Sequence, residues 1–192
     1  MRGLNYVVVA VLMLLLVGTG CNKQAENASN PNTNNAAPAN TANVKDAVSK
    51  ALEQADLKDV HVSDDNDKNV TTLTGVVHSP EAKEKAAEVA KSAAPGRIIA
   101  NEVSVQPVGA ESRARSIASN VDDGIEKNFK AAITANGLDK AHIRASAKNG
   151  VLTLKGTVDT EAQRQEAQKV ASSVPNVAQV VNELQVKGRP GA

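Results

Sequence analysis

The chain has 192 residues, a net charge of +1 and a single cysteine. The near balance of acidic and basic side chains argues against a dedicated nucleic-acid binder, which normally carries a basic excess. One cysteine excludes an intramolecular disulfide and a multi-thiolate metal site. Because only 1% of the residues are aromatic, the core has to be built from Val, Leu, Ile and Ala. Such a core favours two small α+β units over one large enzyme domain.

The chain begins with the pattern of a secretory signal. Arg2 precedes an apolar run from Tyr6 to Val17, which is shorter than the roughly 20 residues that a membrane-spanning helix needs. The next residues, Gly-Thr-Gly-Cys, resemble the lipobox of bacterial lipoproteins, in which the cysteine is acylated and becomes the new N-terminus. We therefore predict a lipoprotein signal peptide over residues 1–20 and lipidation of Cys21. Because Gly18 stands where a lipobox usually has Leu, the alternative is an ordinary signal with an incidental cysteine.

Residues 21–43 are predicted to be the acylated cysteine and a disordered tether. The segment is rich in Asn and Ala and has no apolar periodicity, so it cannot build a core. A random coil of this length spans about 25 Å. In Gram-negative lipoproteins an Asp after the cysteine favours retention at the inner membrane. For a Gram-negative source, Asn22 therefore indicates a periplasmic protein anchored in the inner leaflet of the outer membrane.

The remainder of the chain contains one unit twice. An offset of 81 residues places TLTGVVHSPEAKEKAAEVA on TLKGTVDTEAQRQEAQKVA without a gap, and we expect the offset to hold along the whole repeat. It pairs residues of the same kind: Leu57 with Leu138, His61 with His142, Val62 with Ile143, Gly75 with Gly156, and Asn101 with Asn182. We interpret this agreement as an internal duplication.

Each copy predicts the order helix, strand, strand, helix, strand. In the first copy apolar residues at helical spacing define the first helix, and strands follow at 60–63, 70–77 and 98–105. In the second copy the strands lie at 141–147, 151–158 and 177–186, with Asn149-Gly150 predicting a tight hairpin turn. Helices covering one face of a three-stranded sheet give a two-layer α+β fold.

Local signals mark the start of the second helix in each copy. Ser79 followed by Pro80 is a typical N-terminus, and Thr160 with Gln163 predicts a capping box. Gly75 and Gly156 interrupt apolar strands, where a glycine usually permits the close approach of another backbone. We expect that backbone to be the first helix of each copy.

This pattern resembles the BON domain of bacterial envelope proteins. The residues that carry the resemblance are LTGVV and LKGTV, the alanine-rich helix that follows, and the endings IIANEVSV and QVVNELQV. We predict two tandem αββαβ BON domains over residues 44–107 and 113–187, a linker at 108–112 and a tail at 188–192. The resemblance implies a non-enzymatic protein that binds phospholipid and supports envelope integrity or osmotic stress tolerance.

No catalytic or metal-binding motif is found in the sequence, and we expect no enzyme activity, cofactor or metal. The histidines lack the H-x-x-x-H spacing of a zinc site. The acidic run 64–67 lacks the glycine and closing Glu of a calcium loop, so a polar hairpin turn is the favoured interpretation.

The two copies carry opposite charge. Residues 44–107 hold 8 basic and 11 acidic side chains, whereas residues 113–187 hold 11 basic and 8 acidic ones. An anionic membrane would attract the second copy. The candidate phospholipid contacts are on or near its first helix: Arg113, Arg115, Lys127, Lys130 and Phe129. A solvated helix face is the alternative for the four cations, and core packing is the favoured alternative for Phe129, because its partner Val48 lies on the core stripe.

The leading hypothesis is a lipid-anchored periplasmic protein whose second copy contacts anionic phospholipid, with no role for nucleic acid. The competing hypothesis is an adaptor for an envelope protein, held at the membrane only by its acyl group. A small-ligand or ion sensor is a third interpretation that follows from the family resemblance alone.

Overall fold

The structure is a computed structural model that describes residues 42–138 and 141–188. The predicted signal peptide, the predicted lipidation site Cys21 and the tether to residue 41 lie outside these residues, as does the tail from residue 189.

The first repeat consists of two helices and four strands. In chain order these are α1 (Ala42–Gln54), β1 (Val60–Asp65), β2 (Val70–Val77), α2 (Pro80–Ala93), β3 (Ile98–Asn101) and β4 (Ser104–Val105). Strand β2 is central, because β1 pairs with it antiparallel on one side, and β3 and β4 pair with it parallel on the other. The two short strands take the place of the single closing strand that the sequence predicted.

The second repeat has the same order. It comprises α3 (Glu111–Ala135), β5 (His142–Lys148), β6 (Val151–Val158), α4 (Glu161–Ser172) and β7 (Gln179–Val186). Strand β6 lies between antiparallel β5 and parallel β7. The predicted α+β architecture of two αββαβ units is therefore confirmed. Helix α3 has 25 residues and begins inside the segment 108–112 that was assigned to the linker.

Hydrogen bonds and backbone conformation of neighbouring residues fix the starts of α2 and α4 and the turn between β5 and β6. The Ser79 hydroxyl accepts a hydrogen bond from the Ala82 amide at the start of α2. Thr160 and Gln163 form the predicted capping box of α4, which satisfies amides that the first helical turn leaves without partners. Asn149 and Gly150 both have positive φ, as their hairpin turn requires.

Each repeat has its own aliphatic core between helices and sheet. Leu52, Leu73 and Val103 are fully buried in the first repeat. Ile125, Phe129 and Leu154 are buried in the core of the second. Each such side chain contributes on the order of 1.5–3 kcal/mol by leaving water, so the cores suffice without aromatic residues other than Phe129.

The strand register shows that the repeats do not align without gaps. In the first repeat Val60 lies opposite Gly75, whereas in the second Ile143 lies opposite Gly156. The structural partner of Ile143 is therefore Val60 and not Val62, and the expected pairing of His61 with His142 is wrong. The second repeat has two extra residues before β5, but its hairpin turn is two residues shorter. The two changes cancel, so the 81-residue spacing between the repeats holds again at β6.

Gly75 and Gly156 permit a close backbone contact, but not with a helix. Both have positive φ, and a Cβ at either position would collide with a backbone carbonyl oxygen, that of Asp59 or of His142. These carbonyls lie at the start of β1 and β5. The neighbouring strand, and not the first helix as predicted, therefore requires the two glycines.

The two sheets pack against each other through the faces that point away from the helices. Val70, Ala100, Val151 and Val181 form a small apolar cluster between them. The side-chain amide of Gln179 bonds to the edge of β3 that no strand of its own sheet covers, donating to the Ile99 carbonyl and accepting from the Asn101 amide at 3.2 Å. Repeat one and repeat two are thus held together by apolar and polar contacts.

Reciprocal ion pairs flank this interface. Glu102 of the first repeat lies 3.3 Å from Lys148 of the second, and Glu183, the partner of Glu102 in the repeat, lies 3.2 Å from Lys68 of the first. Hydrogen bonds to Asp65 and Glu183 raise the pKa of Lys68. Each repeat therefore offers the same glutamate to a lysine near the other repeat's hairpin.

Candidate functional site

A groove runs between α3 and the edge strand β5 of the second repeat. Its volume is about 370 Å³, within the range of small-ligand sites. The apolar floor is formed by Phe129 and Ile133, which are buried, and by Ile143 and Ala145, which are half-buried. A groove with this floor can bind an apolar group from the solvent.

Three exposed cations line the same groove. Lys127 and Lys130 come from α3, and Arg144 comes from β5. The one acid, Glu126, accepts a hydrogen bond from the Ala147 amide at 2.8 Å and so ties the helix to the strand. The groove combines an apolar floor with a basic rim, which suits an amphipathic anion.

The first repeat lacks the basic rim. On α1 the positions of Lys127 and Lys130 are occupied by Asp46 and Ser49. The strand register places His61 where the second repeat has Arg144. The groove of the second repeat is therefore more basic than its counterpart in the first, although its Glu126 stands where the first repeat has Lys45.

The five predicted phospholipid contacts do not form a single site. Lys127, Phe129 and Lys130 meet at the groove. Phe129 is 3% exposed, so it belongs to the core, the alternative favoured for it, and provides a wall and not a projecting wedge. Arg115 lies instead at the inter-repeat cleft, where its guanidinium bonds to the Gln106 amide oxygen at 3.4 Å. Arg113 is exposed on the first turn of the helix.

Sequence reasoning missed Arg144 as a rim residue. The gap-free alignment paired it with Ser63, which gave no reason to single it out. Its position opposite Lys155 and next to the groove follows from the register of β5. The Asn149-Gly150 signal could have fixed that register, because a two-residue turn leaves only one way to pair β5 with β6.

Two carboxylates of the acidic run at the first hairpin form ion pairs with basic side chains of the same repeat. Asp64 pairs with Arg97, and Asp65 pairs with Lys68 at 2.7 Å. The hydrogen bond from Lys68 lowers the pKa of Asp65. Among residues 42–138 and 141–188 no group of three or more His, Cys, Asp or Glu side chains is arranged to hold a metal ion. Within the same ranges no helix has both the length and the apolar character needed to cross a membrane.

Comparison with known proteins gives the same family. The BON domain model matches residues 39–107 and 121–188. Osmotically-inducible protein Y of Escherichia coli (strain K12) is 28% identical over 137 residues, which are 71% of this chain and 67% of that protein. The chain belongs to the BON-domain family.

Two solved structures of CdsD, a structural protein of the type III secretion system of Chlamydia trachomatis, are also similar. Each is 11% identical with a TM-score of 0.30, and the matches cover 71% and 77% of this chain. They span 61% and 64% of the CdsD chains.

Proposed function

We propose that this protein is a non-enzymatic, lipid-anchored periplasmic protein whose second BON repeat binds anionic phospholipid at the groove between α3 and β5. The observation that carries the proposal is the combination of a buried apolar floor with the basic rim of Lys127, Lys130 and Arg144. A headgroup phosphate pairs with the rim, and the first methylenes of an acyl chain lie on Ile133 and Ile143.

The strength of this contact is modest. A Lys or Arg near an anionic membrane contributes about 1 kcal/mol, so three cations contribute about 3 kcal/mol, or on the order of 100-fold in affinity. An acyl group on Cys21 supports the same membrane contact, because a tether raises the effective concentration of the groove at the lipid surface. The similarity to an osmotically inducible protein supports a role in envelope integrity under osmotic stress.

The test removes the acyl anchor and asks whether the fold still finds the membrane. The full chain carrying Cys21→Ser is floated with vesicles of phosphatidylcholine alone or with added phosphatidylglycerol. We expect flotation with the anionic vesicles only, and less of it as salt is raised, because salt screens exposed charges. Absence of flotation with anionic vesicles would overturn the proposal and leave the acyl group as the sole anchor.

The groove itself is tested with residues taken from the first repeat. Lys127→Asp with Lys130→Ser introduces the residues that α1 carries at these positions, so the fold tolerates them in one repeat already. We expect flotation to fall by about 10-fold or more. The control, Arg164→Ser with Lys169→Asp on α4, makes the same change in net charge away from the groove. Equal losses in the two variants would mean that only net charge matters.

A second candidate function is favoured by a different surface. Ile117 and Val121 lie one turn apart on α3 and are 56% and 36% exposed. Such an apolar strip suits a protein partner, as an adaptor held by its acyl group would require. A photo-cross-linker in place of Ile117 should then give one defined envelope adduct, and the same probe at exposed Lys91 should not.

A further inference from the structure

A second cavity lies between the two repeats, away from the groove. It has a volume of about 390 Å³, a size typical of small-molecule sites, which often lie at domain interfaces. One wall is the sheet of the first repeat, with the hydroxyls of Thr74 and Ser104. The other wall is the first half of α3, and the hairpin of the second repeat forms the end. We call this cavity the inter-repeat cleft.

Most of the charges in the cleft are already engaged. Asp122 accepts hydrogen bonds from the amides of Asn149 and Gly150 at 2.7 and 3.0 Å. Glu102 pairs with Lys148 at 3.3 Å. These groups hold the cleft in shape and have little capacity left for a ligand.

Two charges of opposite sign remain. Arg115 and Asp123 line the cleft, and among the described residues neither has an ion-pair partner. Arg115 makes only a long hydrogen bond of 3.4 Å to Gln106. A guanidinium in this state is suited to a carboxylate, which it can bind through two parallel hydrogen bonds.

The positions of the two residues on α3 suggest the length of a ligand. Eight residues separate Arg115 and Asp123, so their backbone positions lie about 12 Å apart along the helix axis. An extended dipeptide is about 7 Å long, and a hydrogen bond of about 2.9 Å at each end brings the span to about 13 Å. A dipeptide therefore matches the separation of the two residues along the helix.

We propose that the inter-repeat cleft binds a short zwitterionic peptide, a dipeptide or slightly longer. Arg115 binds its terminal carboxylate and Asp123 its terminal ammonium. The hydroxyls of Thr74, Ser104 and Ser119 face the peptide bond between them. Because the cleft has walls from both repeats, the bound peptide stabilises their packing by mass action.

The experiment uses the full chain carrying Cys21→Ser and three probes. These are dialanine, its C-terminal amide, which lacks the carboxylate, and N-acetyl-dialanine, which lacks the ammonium. Calorimetry should show binding of dialanine and a loss of about 10- to 100-fold for each blocked probe, as expected for one charged hydrogen bond. No binding of dialanine, or equal binding of all three probes, would overturn the proposal.

Two variants assign the ends of the peptide. Arg115→Gln should abolish the preference for dialanine over its amide and keep the preference over the acetylated probe. Asp123→Asn should do the reverse, and Arg113→Gln, an exposed position outside the cleft, should change neither. Preferences that survive in both cleft variants would sink the assignment. If a variant fails to fold, the proposal is still tested by the affinities of the three probes for the protein that carries only Cys21→Ser.

Discussion

Each sheet has one glycine at a position where a larger residue would collide with the neighbouring strand. At Gly75 and Gly156 a positive φ coincides with a neighbouring carbonyl that leaves no room for a Cβ. Gly124 is a contrasting case, because it lies inside α3 and a Cβ there would meet no atom within 4 Å. The same residue type is therefore required at two positions and dispensable at the third.

We expect Gly156→Ala to destabilise the protein by about 3 kcal/mol or more, because it combines a strained backbone with a steric collision. Gly124→Ala should instead stabilise it by about 0.5–1 kcal/mol, since alanine is the better helix former. Urea unfolding of the two variants measures both changes. A cost at Gly124 as large as that at Gly156 would contradict this account.

At the scale of the elements, a polar cluster holds the hairpin of the first repeat, and an apolar cluster holds that of the second. In the first repeat Arg97 pairs with Asp64 and bonds to the Thr71 hydroxyl at 3.3 Å. The strand register places Ala147 and Leu152 at the positions of Asp64 and Thr71. Val177 takes the position of Arg97 in the turn after the second helix, where each donates its amide to the carbonyl three residues earlier. A buried polar cluster in one repeat is an apolar cluster in the other.

This exchange predicts a non-additive set of variants. Arg97→Val alone should cost about 3–5 kcal/mol, because it leaves Asp64 charged and buried without its partner. The triple variant Asp64→Ala, Thr71→Leu, Arg97→Val should be within about 1 kcal/mol of the unsubstituted protein or more stable, since a packed apolar cluster replaces the ion pair. Denaturant unfolding compares the two. Additive losses would show that the apolar cluster depends on its own repeat.

Some features of these elements could be predicted from the sequence, and one was missed. The caps at Ser79 and Thr160 and the Asn149-Gly150 turn were predictable, because each depends on a few neighbouring residues. The two-residue shift of β5 was missed, because a longer loop and a shorter turn cancel in any alignment of the ends; only the length of the Asn149-Gly150 turn could have revealed it. That shift concealed Arg144 as a rim residue of the groove.

At the scale of the whole molecule, Lys83 links the two repeats. It lies on α2 and donates a hydrogen bond to the Asn149 carbonyl of the second repeat at 2.9 Å. Burial lowers its pKa, and the charge of Asp122 partly offsets that effect. Sequence reasoning could not foresee this, or the cleft position of Arg115, because both follow from the packing of one repeat on the other.

The lowered pKa of Lys83 predicts a pH-dependent stability. The folded protein binds this proton less tightly than the unfolded chain, so a penalty present below the folded pKa disappears as the pH rises towards the ordinary value of 10.5. The unsubstituted protein should therefore gain stability relative to Lys83→Met between about pH 7 and about pH 10. Urea unfolding at both pH values measures the difference, with Lys91→Met on the same helix as control. A difference that stays constant with pH would refute the prediction.

The interface between the repeats bears on the ancestry of the chain. Its apolar cluster brings together two pairs of repeat partners, Val70 with Val151 and Ala100 with Val181, which is what two identical subunits make around a two-fold axis. Two copies of a single-repeat ancestor, dimerising through their sheet faces, would leave this arrangement once their genes fused. Fusion fixes one copy of each kind in every molecule, so one half can specialise for a ligand while the other preserves the shared interface.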